Sequence, residues 1–107
     1  MIRGEIWTVA GGVYAGQPRP ALIIQDDRFD AADSVTVLPP TSTLVGAPLL
    51  RIALDPSELS GLQRQSDVVI DKTTTVRRSS VQSRVGRLTP AQLGQVERAL
   101  LVFLGIA

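Results

Sequence analysis

Apolar and polar positions change rhythm several times along this chain, and each change predicts an element. Glu5-Ile-Trp-Thr-Val9 is short, β-branched and aromatic, which predicts a first strand. Residues 10–18 carry three glycines and a proline and read as a loop. The continuous apolar run Pro20 to Ile24 suits a fully buried strand. Asp26 to Asp33 is acidic and turn-like, and Ser34 to Leu38 alternates as a third strand. Pro39-Pro40 ends it, since proline offers no N–H to a ladder, with extended chain expected over Thr41 to Leu44. Further strands are expected at 49–54, 67–71 and 81–88, with a connection from Asp55 to Arg64. The end of the chain differs. Thr89-Pro90-Ala91-Gln92 reads as a capping box with proline at its first helical position. Leu93, Val96, Leu100, Phe103 and Leu104 then share one helical face, and Gly105 is a natural stop. A helix is expected over 90–104, with Val102 roughly opposite that face, either incidental or touching a partner chain.

Five or six short strands followed by one amphipathic helix predict a mainly β fold. The connections are too short for helical crossovers, so the sheet should be mostly antiparallel. Strands of this length and spacing suggest a small, strongly bent barrel. The 107 residues are expected to form a single domain, 1–107, with no internal repeat.

Composition narrows the chemistry more than the fold. Hydrophobic residues make up 44% and charged residues 20%, an ordinary globular balance. No apolar run approaches the ~18 residues of a membrane span, and no basic start precedes an apolar stretch, so neither an anchor nor a secretory signal is expected. Cysteine and histidine are both absent. Zinc sites, Cys–His and Ser–His catalysis therefore lack their groups. No metal or cofactor is expected, and missing cysteines fit a reducing cytoplasm.

The net charge is +1, but it is uneven along the chain. Residues 1–63 hold four basic and seven acidic side chains, a sum of −3; residues 64–107 hold seven basic and three acidic, a sum of +4. Ten of the eleven basic residues are arginine, whose fork matches phosphate geometry. The later part reads either as a surface for an anionic polymer or as an ordinary solvated face.

Several segments together resemble one known family. They are Arg3-Gly-Glu-Ile-Trp7, Arg19-Pro-Ala-Leu-Ile-Ile-Gln-Asp26 after the glycine-rich loop, and Pro40-Thr-Ser-Thr43 after the third strand. Ile70-Asp71 before a threonine-rich link, Arg84-Val-Gly-Arg-Leu-Thr89 and Ala99-Leu-Leu-Val-Phe-Leu-Gly105 complete the set. In this order the chain resembles the MazF/PemK family of toxin endoribonucleases, nearly end to end. The resemblance implies an SH3-like barrel with a C-terminal helix, assembled as a homodimer in the cytoplasm. It implies sequence-selective, metal-independent cleavage of single-stranded RNA and neutralisation by a small antitoxin, expected to carry a disordered acidic tail.

The resemblance also implies roles for particular residues. Arg19 becomes the leading catalytic candidate, as an electrostatic clamp on phosphate; read alone, it is equally a structural arginine. Thr41 is the second catalytic candidate and Ser42 a weaker RNA contact; read alone, both are turn residues after Pro-Pro. Lys72, Thr73, Thr74, Arg77 and Arg78 form a polar, basic link where relatives place RNA contacts, or else a solvated loop. Relatives commonly carry a glutamine and an arginine before a threonine there, and this chain has Lys72 and Thr74 instead. The glycine-rich loop lacks the Ser-Glu pair of many relatives, so it offers no general base; its Tyr14 and Gln17 are candidate RNA contacts. Tyr14 either stacks on a base or covers the barrel mouth. Trp7 is read as core or dimer interface. A CcdB-like gyrase poison shares the fold, but its tail carries tryptophan before Gly-Ile, and here Leu104 precedes Gly105-Ile106. A noncatalytic SH3-like nucleic-acid-binding module is the other alternative.

Overall fold

The computed structural model describes residues 1–11 and 14–107, with backbone alone at 11 and 14–16. The elements in chain order are β1 (Glu5–Gly11), β2 (Tyr14–Ile23), β3 (Ser34–Leu38), β4 (Pro40–Thr41), β5 (Arg51–Leu54), β6 (Ser66–Val69), β7 (Thr74–Arg77), β8 (Val81–Arg87) and α1 (Pro90–Phe103). Single 3-10 turns occupy Asp27–Phe29, Ile70–Lys72 and Arg78–Ser80. The fold is mainly β with a C-terminal helix, as expected. Every recorded strand pairing is antiparallel. The strands form a five-stranded sheet, β7-β3-β2-β1-β8, and a three-stranded sheet, β4-β6-β5. Hydrogen bonding does not close the two sheets into one continuous barrel among the described residues.

Strand alternation decides the core. Ile6 and Leu22 are opposed in register and join Leu38, Leu54, Val68, Ile70, Leu88 and Val96 in one buried cluster. The alternate positions Val9, Ala21, Ile23, Val35 and Val37 form a second cluster with Val76 on the other face, covered by Met1, Trp7 and Val81. Each fully buried Leu, Ile or Val side chain contributes roughly 1.5–3 kcal/mol. Trp7 is therefore a partly buried core residue, and its indole N–H donates to Glu5 Oε1 at 3.1 Å.

Two strand expectations are corrected. Much of the glycine- and proline-rich segment 10–18 is strand, the end of β1 and the start of β2, with Gly11 opposite Tyr14. Gly12 and Val13 lie outside the described residues. The threonine-rich link after Lys72 also contains a strand. Thr74 to Arg77 pairs with β3, with Val76 opposite Val35. Threonine is polar but β-branched, and its stiff χ1 suits a pleated ladder.

The helix start follows its sequence. Thr89 Oγ1 accepts from the Gln92 N–H at 3.1 Å, and Gln92 Oε1 accepts from the Thr89 N–H at 2.8 Å. Val96 is fully buried, and Leu93, Ala99 and Leu100 pack on the first cluster. Phe103 and Leu104, expected on that face, stand 46% and 62% exposed. Leu101, Val102 and Ile106 are exposed as well.

Candidate functional site

A break in the ladder positions the site. In an antiparallel strand, alternate residues point their N–H to the same edge. Pro18 and Pro20 are two apart and have no N–H to point. The edge of β2 away from β1 is paired with β3 only at Leu22 and Ile23. β3 ends at Leu38, and the chain turns through Pro39 into β4, which pairs with β6 instead. The space between the β2 edge and β4 is an open groove of about 410 Å³. It is lined by Arg19, Pro20, Pro40, Thr41, Ser42, Thr43, Gln63, Arg64 and Ser66.

The groove unites three of the residues singled out by sequence, Arg19, Thr41 and Ser42. Arg19 sits on β2 opposite Val9, exposed, and has no hydrogen-bond or ion-pair partner among the described residues. A free guanidinium at a groove wall can take two phosphate oxygens at once. Thr41 sits on β4 opposite Asp67. Its Oγ1 accepts from the Thr43 N–H at 3.1 Å, leaving the hydroxyl proton available to the groove. This is the turn chemistry that Ser and Thr after prolines suggest, and it also orients the hydroxyl. Ser42 is exposed beside it.

Gln63, Arg64 and Ser66 form the opposite wall, and sequence reasoning did not single them out as site residues. They follow the tight turn at Gly61 (φ 71°), whose N–H donates to the Ser57 carbonyl. Ser66 Oγ donates to the Arg64 carbonyl at 3.1 Å and so braces this wall. The one signal in the sequence was the polar run Gln63-Arg64-Gln65 just before a buried strand. No carboxylate lines the groove among the described residues. Size alone does not mark the groove: clefts of about 470 Å³ beside Arg98 and about 540 Å³ beside Arg87 are as large. The clustered side chains of Thr41, Ser42, Thr43 and Ser66 do, since among the described residues neither other cleft is lined by a hydroxyl residue.

The remaining candidates lie elsewhere. Lys72 is exposed on its 3-10 turn. The hydroxyl of Thr73 donates to the Ile70 carbonyl at 3.1 Å and that of Thr74 to the Lys72 carbonyl at 2.8 Å, so both serve local turns. Arg77 is exposed on β7 opposite Ser34. Arg78 donates to the Ala32 carbonyl at 2.6 Å and to Asp30 Oδ1 at 3.1 Å, which commits its guanidinium to the acidic turn. None of these five lines the groove. Gln17 is exposed on β2, two residues before Arg19 and on the same face by alternation. The Tyr14 side chain lies outside the described residues.

Folding redistributes the charge seen along the sequence. Arg3–Glu97, Arg51–Asp67, Arg78–Asp30 and Arg84–Glu5 each join the acidic part to the basic part. These pairs engage only two of the seven cations of the basic part, Arg78 and Arg84, and at the groove Arg19 and Arg64 have no partner among the described residues. Asp26 has its carboxyl held below the ordinary value by the Arg28 backbone N–H first and the Arg28 guanidinium second. Among the described residues, no group of three or more acids is placed to hold a metal ion.

A small split β-sheet with one C-terminal helix, carrying a groove of guanidinium and hydroxyl groups, has the chemistry to grip a phosphodiester strand. Residues 2–104 match the family of PemK-like, MazF-like toxins of type II toxin–antitoxin systems. The chain belongs to that family. It is 57% identical over 108 residues to a probable endoribonuclease MazF of Mycolicibacterium smegmatis, covering 100% of this chain and 99% of that one. An endoribonuclease solved with its cognate antitoxin from a mycobacterial species superposes with a TM-score of 0.82 at 23% identity, covering 100% of this chain and 97% of that one. The Mycobacterium tuberculosis toxin MazF-mt6 superposes with a TM-score of 0.81 at 23% identity, over 96% and 98%. The two superpositions establish a shared fold.

Proposed function

We propose that this toxin is a sequence-selective endoribonuclease that cuts single-stranded RNA in the groove between the β2 edge and β4. One observation carries the reading: Arg19 and Thr41, from different strands, line the same groove, and the Arg19 guanidinium is free there among the described residues.

RNA brings its own nucleophile. The 2′-oxygen attacks the adjacent phosphorus in line, and the bond to the 5′-oxygen breaks. The products are a 2′,3′-cyclic phosphate and a 5′-hydroxyl. Negative charge grows on the phosphoryl oxygens, and Arg19 meets it with a two-pronged, permanently charged donor. Thr41 donates its hydroxyl proton to a phosphate oxygen or orients the 2′-hydroxyl. With no carboxylate at the groove among the described residues, the 2′-hydroxyl proton leaves to water and the departing 5′-oxygen takes one from water. Arg64 and Gln63 hold the strand on the opposite wall. None of these steps calls on a metal ion.

The exposed apolar end of α1, from Leu101 to Leu104 with Ile106, supports the homodimer reading. A basic groove supports capture of an acidic antitoxin tail by the same residues that hold RNA, and the cytoplasm is where both partners would be met.

The test is digestion of a long mixed-sequence RNA in excess EDTA, with Arg19→Ala and Thr41→Ala run beside wild type and new 5′ ends mapped. Discrete cuts with cyclic-phosphate ends, lost in both variants, support the reading. Intact RNA after treatment with folded wild-type protein overturns it, and binding without scission points to a noncatalytic module.

A further inference from the structure

We propose that Arg51, which does not line the groove, is a positioning residue that sets the Thr41 hydroxyl for reaction. The proposal rests on the RNA-cleaving reading of that groove.

In the three-stranded sheet, β6 lies between β4 and β5. Asp67 on β6 faces Thr41 on one side and Ala53 on the other. Arg51 opens β5 opposite Val69, which makes it the diagonal neighbour of Asp67 on the same face. Its side chain crosses the sheet. One Arg51 nitrogen lies 3.8 Å from Asp67 Oδ2 and donates to the Thr43 carbonyl at 2.9 Å. Thr43 in turn donates its N–H to Thr41 Oγ1 at 3.1 Å. The chain of contacts runs from a buried carboxylate through a guanidinium to one peptide residue, and from that residue to the candidate reactive hydroxyl.

Each link has a physical consequence. The Asp67 and Arg51 side chains are 10% and 21% exposed, so the pair is poorly screened and its geometry is held. The Thr43 carbonyl is held by a charged donor; the Thr43 N–H lies in the preceding peptide plane, so Arg51 restrains it through the φ and ψ of Thr43 between them. That N–H fills one acceptor position of Thr41 Oγ1, so the hydroxyl proton swings through fewer directions. Without Arg51, residues 42–50 carry no strand and the Thr43 end is free to turn. Arg51 thus acts on Thr41 through Thr43 without touching RNA in the groove.

The experiment uses Arg51→Met and the double variant Arg51→Met/Asp67→Asn, which removes the lone buried charge that the single change leaves behind. The probe is a fluorophore–quencher RNA oligonucleotide spanning one mapped cut. In both variants kcat should fall by ~10- to 100-fold, the scale of a misplaced reacting group, with KM within about twofold. Amide hydrogen exchange gives a readout independent of activity: Thr43 should exchange at least about tenfold faster while Val68 in β6 keeps its protection. Arg51→Lys, which keeps the charge beside Asp67, should leave Val68 protected and restore part of kcat and part of the Thr43 protection. If the folded double variant keeps Thr43 protection, or if its defect lies in KM alone, the positioning role is wrong. If wild type cuts no RNA, the nuclease reading fails, while Thr43 exchange still decides whether Arg51 holds the Thr41 turn.

Discussion

Gly86 is where two segments of this fold meet backbone to backbone, and it sets a sharp expectation. A Cβ placed there lies 2.3 Å from the carbonyl carbon and oxygen of Ser60 and 2.4 Å from the Leu59 oxygen. Non-bonded atoms are comfortable at roughly 3.5–4.0 Å, so the 57–61 turn must retreat by about 1 Å or more. No side chain can rotate away, because every atom struck is main chain. The retreat stretches the Arg87 N–H bond to the Leu59 carbonyl, now 2.9 Å. It also works against the Ser57–Ser60 hydroxyl pair at 3.1 Å, which locks the turn from within. Overpacking contributes about 1–3 kcal/mol and the weakened hydrogen bond about 0.5–1.5. Gly86→Ala should therefore destabilise by about 2–4 kcal/mol, a large part of a total near 5–15. Gly46→Ala is the control: nothing lies within 4 Å of its added methyl, so the change should stay within about 0.5 kcal/mol. Urea unfolding at one fixed protein concentration reads both, because dimerisation would otherwise move the midpoint. If the two variants share a midpoint at equal m-value, the close approach at Gly86 is not what shapes this turn.

Other outcomes follow from the same geometry. Arg64→Ala should leave stability within about 0.5 kcal/mol yet weaken RNA binding and flatten its salt dependence by about 0.7 in log–log slope; an unchanged slope removes Arg64 from the groove's phosphate contacts. Arg78→Met should do the opposite, lowering stability by about 1–2 kcal/mol through its lost bonds to Ala32 and Asp30 while RNA affinity holds; denaturation and filter binding on one preparation separate the two. Asp26 titrates below its ordinary value in the folded chain, so its contribution is present above the unfolded value and is lost as pH falls through the folded one. A carboxyl-detected NMR titration should show that depression vanish in Arg28→Ala, whose backbone N–H remains but whose guanidinium is gone, only in part, since the backbone bond is the larger cause.

Local signals made much of this fold legible. The Thr89–Gln92 capping box and the β-branched runs of β1, β3 and β6 state their conformations within a few residues. What sequence could not show was pairing at a distance. Residues 14–18 look like loop by composition, yet they belong to β2, with Tyr14 opposite Gly11 of β1. Thr74 to Arg77 looks like a polar link, yet β3 draws Val76 into the core. The site divides similarly. Arg19 and Thr41 were reached through resemblance, and each alone reads as an ordinary structural residue. Gln63 and Arg64 carried only the mark of a polar run before β6, because it is the fold that brings them to the groove lined by Arg19 and Thr41. The charge map has the same limit, since Arg3–Glu97, Arg51–Asp67, Arg78–Asp30 and Arg84–Glu5 pair residues that stand apart along the chain.

The prolines explain why a groove sits here and why it reads side chains. An open sheet edge ordinarily exposes a row of N–H donors, which invites a further strand and orphans any donor that is covered. Pro18 and Pro20 on β2, and Pro40 on the facing segment, delete such donors along the gap, while the Pro39 carbonyl faces β6 and accepts from the Val69 N–H. A chain lying there finds few backbone partners and cannot add as a strand. On the proposed reading, recognition falls to the side chains that line the gap, those of Arg19, Arg64, Thr41, Ser42 and Ser66. Restoring a donor at that edge, as Pro20→Ala would, offers an extended peptide the main-chain contact that the native groove withholds, and leaves the charged groups that suit a phosphodiester strand unchanged.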